Sequence, residues 1–136
     1  MTPRILVVSR ARRPGAVRAP EGVPLVYIGR AVPRSRLTHG ETLARGSPVG
    51  NPFRVPRGYD IASDPDDVLG QYRRWLTERL LDPASPQSRE VAMIARFALA
   101  GPVALECWCA PAPCHGDVVR EVVLAAIERR ARTNEP

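Results

Sequence analysis

The chain has no lysine: all 20 of its basic residues are arginine, a trait of GC-rich coding more than of chemistry. It also has no apolar run long enough to cross a bilayer, and Ile5 to Val8 is too short for the core of a secretory signal. A cytoplasmic protein with no membrane partner is therefore expected. Cysteine is scarce as well. Three residues, an odd number crowded between 107 and 114, exclude a disulfide framework and leave metal binding, catalysis or buried thiols as their use. No internal repeat is present. At 136 residues the chain is long enough to bury a core without cross-links.

The charge that is present is unevenly placed. Residues 1–61 carry 11 arginines against Glu21, Glu41 and Asp60, a net of +8, whereas residues 62–136 carry 9 arginines against 11 acids, a net of −2. An excess of this kind in one half points to a phosphate-bearing partner. The stretch from Arg10 to Arg18 reads instead as a solvated, partly disordered basic arm.

Hydrophobic periodicity orders the elements. RILVVS (4–9) has the composition of a short strand, followed by a charged loop rich in Pro and Gly. VPLVYIG (23–29) is apolar at nearly every position, as expected of a strand buried on both faces. From Gly29-Arg30 to Ala62 no period is sustained, and a stretch of that length in a compact domain is usually functional or disordered. Asp64-Pro65-Asp66-Asp67 then opens a helix with Asp64 as N-cap, and Val68, Leu69, Tyr72, Trp75, Leu76 and Leu80 form its apolar stripe. A second helix starts at Ser85-Pro86, buries Val91, Ile94, Ala95, Ala98 and Leu99, and stops at Gly101-Pro102. PVALECWC (102–109) is the next strand. A third helix runs from Gly116 or Asp117 to Arg130. This order predicts a small α/β domain with a mainly parallel sheet flanked by helices and a long Gly/Pro-rich loop after the strand at 23–29. Residues 23–131 form the domain, 1–22 a basic N-terminal extension whose composition permits flexibility, and 132–136 a flexible tail.

LECWCAPAPCHGDV holds the densest chemistry. Strand alternation places Cys107 and Cys109 on one face and Glu106 and Trp108 on the other, while Cys114, His115 and Asp117 fall at the start of the third helix. A helix N-terminus favours a thiolate or a bound anion, and Asp117 suits an N-cap. Cys107 reads as a buried small residue. Cys109, Cys114 and His115 read as a functional site. Zinc held by Cys107, Cys109, Cys114 and His115 is the alternative, weakened because C-x-C on an extended strand separates its two residues by about 7 Å. Dithiol chemistry of Cys109 and Cys114 lacks the C-x-x-C spacing and ranks last.

HGETLARGSPVGNPF (39–53) is the other motif. Gly46, Pro48, Gly50 and Pro52 constrain its backbone, Ser47 and Asn51 can bond their own turn or a ligand, and Arg30, Arg34, Arg36 and Arg45 are near in sequence. It matches neither the P-loop nor the dinucleotide fingerprint. Its plain structural reading is a rigid loop in which Asn51 ties a turn and Phe53 plugs the core. Tyr72, Trp75 and Phe97, at helical spacing, are expected in the core. Trp108 either stacks on a ligand ring or fills space under the third helix.

VYIGR, GSPVGNPF, the YRRWL helix and CWCAPAPCHGDV together resemble an uncharacterised family of small bacterial and phage proteins, a domain of unknown function, over residues 24–127. The resemblance implies no activity. The closing turn is also similar to that of a second uncharacterised bacterial family whose turn ends in Cys-His-Arg, where this chain has Gly116. The residues themselves point to a domain that binds, and in one version processes, a nucleotide or related phosphorylated small molecule. Its ligand-binding residues are Gly29, Arg30, Arg34, Ser47, Gly50, Asn51 and Trp108, with Cys114 or Cys109 as nucleophile, His115 as acid or base and Asp117 as third member. Whether a reaction occurs stays open. The rival reading is a non-catalytic nucleic-acid-binding module, with zinc as an optional stiffener.

Overall fold

The structure, a computed structural model, describes residues 3–10, 18–30, 46–53, 65–107 and 115–133. Six elements follow in order: β1 (Ile5–Ser9), β2 (Leu25–Tyr27), α1 (Pro65–Arg79), α2 (Pro86–Ala100), β3 (Val103–Cys107) and α3 (His115–Thr133). The three strands form one sheet in the order β1-β3-β2. Both pairings are parallel, with Val8 and Tyr27 in register with Glu106 from either side. The α/β class and the parallel sheet are thus as expected.

Position in the sheet explains where the local patterns were misleading. β3 is central, so Val103, Ala104, Leu105 and Cys107 are all fully buried. β2 has the same apolar composition but is an edge strand, and Leu25 is 51% exposed rather than buried on both faces. β1 lies within the 1–22 segment yet supplies the other edge, with Ile5 and Val8 buried. A five-residue strand cannot stand alone; β3 satisfies its backbone, and the helical core covers its Ile5 and Val7 side chains.

One face of the sheet carries the core. Ile5, Val103, Leu105, Cys107 and Ile28 pack with Tyr72 and Leu76 of α1, Val91, Ile94, Ala95 and Ala98 of α2, and Val118, Val119 and Val123 of α3. Residues on the opposite face, Leu6, Val8, Ala104, Glu106, Leu25 and Tyr27, take no part in that cluster. In α1, Val68, Tyr72 and Leu76 recur every four residues and are buried, which is the stripe the sequence predicts. The chain then turns tightly. Ser85 caps α2 by accepting from Ser88 N (3.1 Å) and ties it to α1 by donating to Arg79 O (2.9 Å). Pro86 occupies the first turn of α2, where its missing N–H costs nothing.

Two expected core residues of α2 are outside the core: Leu99 is 54% and Phe97 43% exposed. At 100° per residue they sit about 90° and about 110° round the axis from the centre of the buried stripe, on opposite margins. α3 begins at His115, so Asp117 lies inside its first turn and is not the N-cap. There its carboxylate complements the positive end of the helix, as Arg130 and Arg132 complement the other end. No helix among the described residues is long and apolar enough to cross a membrane.

Candidate functional site

Parallel pairing brings the carboxyl ends of all three strands to one edge. The ladder continues past each strand, through Arg10 N to Cys107 O (2.6 Å) and Ile28 N to Glu106 O (2.9 Å). Ligands of open α/β sheets bind at this edge. Gly29, Arg30, Cys107 and His115 therefore lie at one rim. Arg34, Trp108, Cys109 and Cys114 lie outside the described residues, as do Arg36, His39 and Arg45.

The GSPVGNPF loop docks onto the end of β2. Ser47 N donates to Gly29 O (2.9 Å) and Gly50 N to Ser47 O (2.9 Å). A Cβ on Gly50 would stand 3.0 Å from both Gly29 O and Ser47 O, so this approach of two backbones needs a glycine. Side chains finish the turn: Ser47 Oγ accepts from Val49 N, and Asn51 Oδ1 accepts from Phe53 N (2.9 Å). Helices hold the loop from beneath. Tyr72 donates its hydroxyl to Val49 O, Gln87 donates to Pro48 O (3.0 Å), and the Ser47 hydroxyl bonds Glu90. Burial raises the Glu90 carboxyl above its ordinary range and the Ser47 bond opposes that shift. Asn51 thus ties a turn and Phe53 packs against the core cluster, both features of a rigid structural loop.

Arg30 stands in the middle of this assembly. Its Nε donates to Asn51 O (2.6 Å) and its Nη2 to Phe53 O (2.5 Å). Two of the five guanidinium N–H donors are therefore engaged with loop carbonyls. The charge is oriented rather than loose.

His115 connects the loop assembly to α3. It is 8% exposed, its Nε2–H donates to Ile28 O (2.8 Å), and its ring meets Tyr72 edge-on at 5.4 Å between centroids. Burial, first, and the Arg30 charge lower its pKa; the Ile28 carbonyl and Asp117 pull the other way. A carbonyl oxygen can only accept, so Nε2 keeps the proton and Nδ1 is the basic nitrogen. Asp117 pairs with Arg120 (3.2 Å) along the helix.

Cys107 behaves as the buried small residue expected of it, fully enclosed and donating its thiol to Val8 O at 3.7 Å. Among the described residues no three His, Cys, Asp or Glu side chains gather as a metal-holding group.

Three side chains at this edge were not anticipated. Arg10, placed in the solvated arm by composition, is anchored: its Nη1 pairs with Glu106 Oε1 (3.3 Å) and its guanidinium lies 5.4 Å from the Tyr27 ring centroid. Tyr27 donates to Arg30 O (2.5 Å), and its ring occupies the space a side chain at Gly29 would need. Glu106 was open to notice, being the single charge in an otherwise apolar strand. Its partner, 96 positions away, was not.

These features define a small α/β domain with a three-stranded parallel sheet and a polar carboxyl-terminal rim assembled from separated segments. The chain belongs to the domain-of-unknown-function family DUF4326, which it matches over residues 11–125. The match begins 13 positions before the Leu25-flanking Pro24 at which the sequence resemblance starts, within the segment between β1 and β2. No curated protein and no solved structure matches the chain.

Proposed function

We propose that this domain binds a nucleotide or related phosphorylated small molecule at the carboxyl-terminal rim of the sheet. One observation carries the reading: the end of β2, the 46–53 loop and the first turn of α3 are stitched together around Arg30 through Gly29 O, Ile28 O and His115. An oriented guanidinium beside a helix N-terminus suits phosphate oxygens, and the 46–53 loop, whose Ser47, Val49, Gly50 and Phe53 amides are engaged within the protein, holds that guanidinium in place. Arg34, Ser47, Gly50, Asn51 and Trp108 belong to the same proposed ligand set. Where a reaction accompanies binding, Cys114 or Cys109 is the nucleophile, with His115 acting through Nδ1 and Asp117 beside it in sequence.

Native mass spectrometry of protein purified without chelator or reducing agent tests this directly. The wild type should carry or take up a phosphorylated small molecule, and Arg30→Ala should weaken its binding by at least about 10-fold, the loss of one charge-assisted contact. Of Cys114→Ala and Cys109→Ala, the one that removes the nucleophile should spare binding and abolish any turnover. Empty protein that instead binds an oligonucleotide with affinity collapsing as salt rises would establish the nucleic-acid module, and a retained zinc ion would favour its metal-stiffened form.

A further inference from the structure

Glu106 and Arg10 form an ion pair whose two side chains are each only 13% exposed. They lie on the sheet face away from the helical core, in the last row before the carboxyl edge. The row two residues earlier, Leu6, Ala104 and Leu25, is wholly apolar. An enclosed ion pair gives little stability over an apolar pair of the same volume, because desolvation offsets the Coulomb attraction. Its confinement to the ligand-bearing rim therefore asks for another reason.

The pair is also held in place. Arg10 lies over the Tyr27 ring, and the Tyr27 hydroxyl bonds the carbonyl of Arg30, the residue whose guanidinium stands among the loop carbonyls. The Glu106 end of the rim is thus joined to the Arg30 end through Tyr27. Their chemistry is opposite. A carboxylate accepts hydrogen bonds and repels phosphate, so its complement is an O–H or N–H donor.

We infer that Glu106 receives the unphosphorylated part of the ligand, accepting hydrogen bonds from ribose hydroxyls or from the N–H edge of a base, and that Arg10 is its positioning residue. This rests on the proposed function and narrows it from phosphorylated molecules at large to those carrying a sugar or nucleoside. Inorganic phosphates would fill only the Arg30 end.

Isothermal titration of the full chain with pyrophosphate, ribose 5-phosphate and the four ribonucleoside 5′-monophosphates tests it. Glu106→Gln should weaken the best-bound nucleotide about 10- to 100-fold, the range for a hydrogen bond to a charged group, and leave pyrophosphate within about 3-fold, the scatter of unrelated sites. An equal loss for ribose 5-phosphate assigns the sugar; a loss restricted to nucleotides assigns the base. Arg10→Gln/Glu106→Gln, which removes both charges and keeps two hydrogen-bonding amides, should repeat the result and decides the matter if the single variant does not fold. Nucleotide binding unchanged in the variants, binding of pyrophosphate alone, or an equal loss for every ligand overturns the inference and leaves the proposed rim site standing. Wild-type protein that binds none of these compounds overturns the proposed function itself.

Discussion

The helix-covered face of the sheet and its carboxyl edge are built on different physics. On the face, Leu105, Ile94, Val119 and their neighbours are fully buried apolar groups, held by non-directional burial that scales with area. At the edge, polar groups such as the buried His115 and Tyr72 Oη, the part-buried Glu106 and the exposed Arg30 each have a specific partner, and each partner lies on a different segment of chain. The face resists unfolding. The edge gains little net stability from its bonds and loses much when one partner is removed, which is the behaviour of a site whose geometry matters more than its energy.

The contrast can be broken from either side. The largest effect belongs to the face: Ile94→Ala should destabilise the fold by about 3 kcal/mol through lost burial and a residual cavity, measured by urea unfolding, while the ligand affinity of the folded fraction stays within error. Tyr72→Phe should cost less, about 1–2 kcal/mol, by leaving the Val49 carbonyl without its buried donor. Its signature is local: amide exchange in residues 47–50 should accelerate more than exchange in β3. Equal acceleration at both places would show that loop and core unfold as one unit.

The smallest effect is a pH dependence. His115 has a lowered pKa in the folded chain, so the unfolded chain takes up its proton first as pH falls. The stability this residue contributes is complete above about pH 6.5, the ordinary histidine value, and is lost as pH drops below it toward the folded pKa. Urea midpoints measured from pH 8 to pH 5 should fall across that interval in the wild type and fall less in His115→Gln. Parallel profiles would mean that His115 is as easily protonated in the folded chain as in the unfolded one.

Much of the fold was legible in sequence because its signals are local. Ser85-Pro86 starts α2, the four-residue recurrence of Val68, Tyr72 and Leu76 predicts the buried stripe of α1, and Asn51 two residues before Phe53 predicts an Asx turn. The strand order was legible only as far as parallel pairing through helical crossovers. β1 looked like part of an extension because a short apolar run carries no record of the strand that will pair with it. Leu99 looked buried because a stripe read by spacing has no sharp margin.

The candidate site was legible by residue type and not by arrangement. His115, Arg30, Ser47 and Asn51 stood out by composition, and the structure joins them through backbone carbonyls, which look alike in every sequence. Glu90 does not stand out in the sequence and Arg10 reads as part of a solvated arm, because their partners come from other elements.

By itself the sequence determined where α2 begins and ends, that Asn51 ties a turn, and which half of the chain is basic, since each of these is written in neighbouring residues. Only the tertiary structure decided that β3 is central and β2 an edge, that His115 faces Ile28 O, and that Arg10 meets Glu106. Those outcomes depend on which distant segment arrives beside a given strand, and burial, pairing and proton affinity all follow from that neighbour.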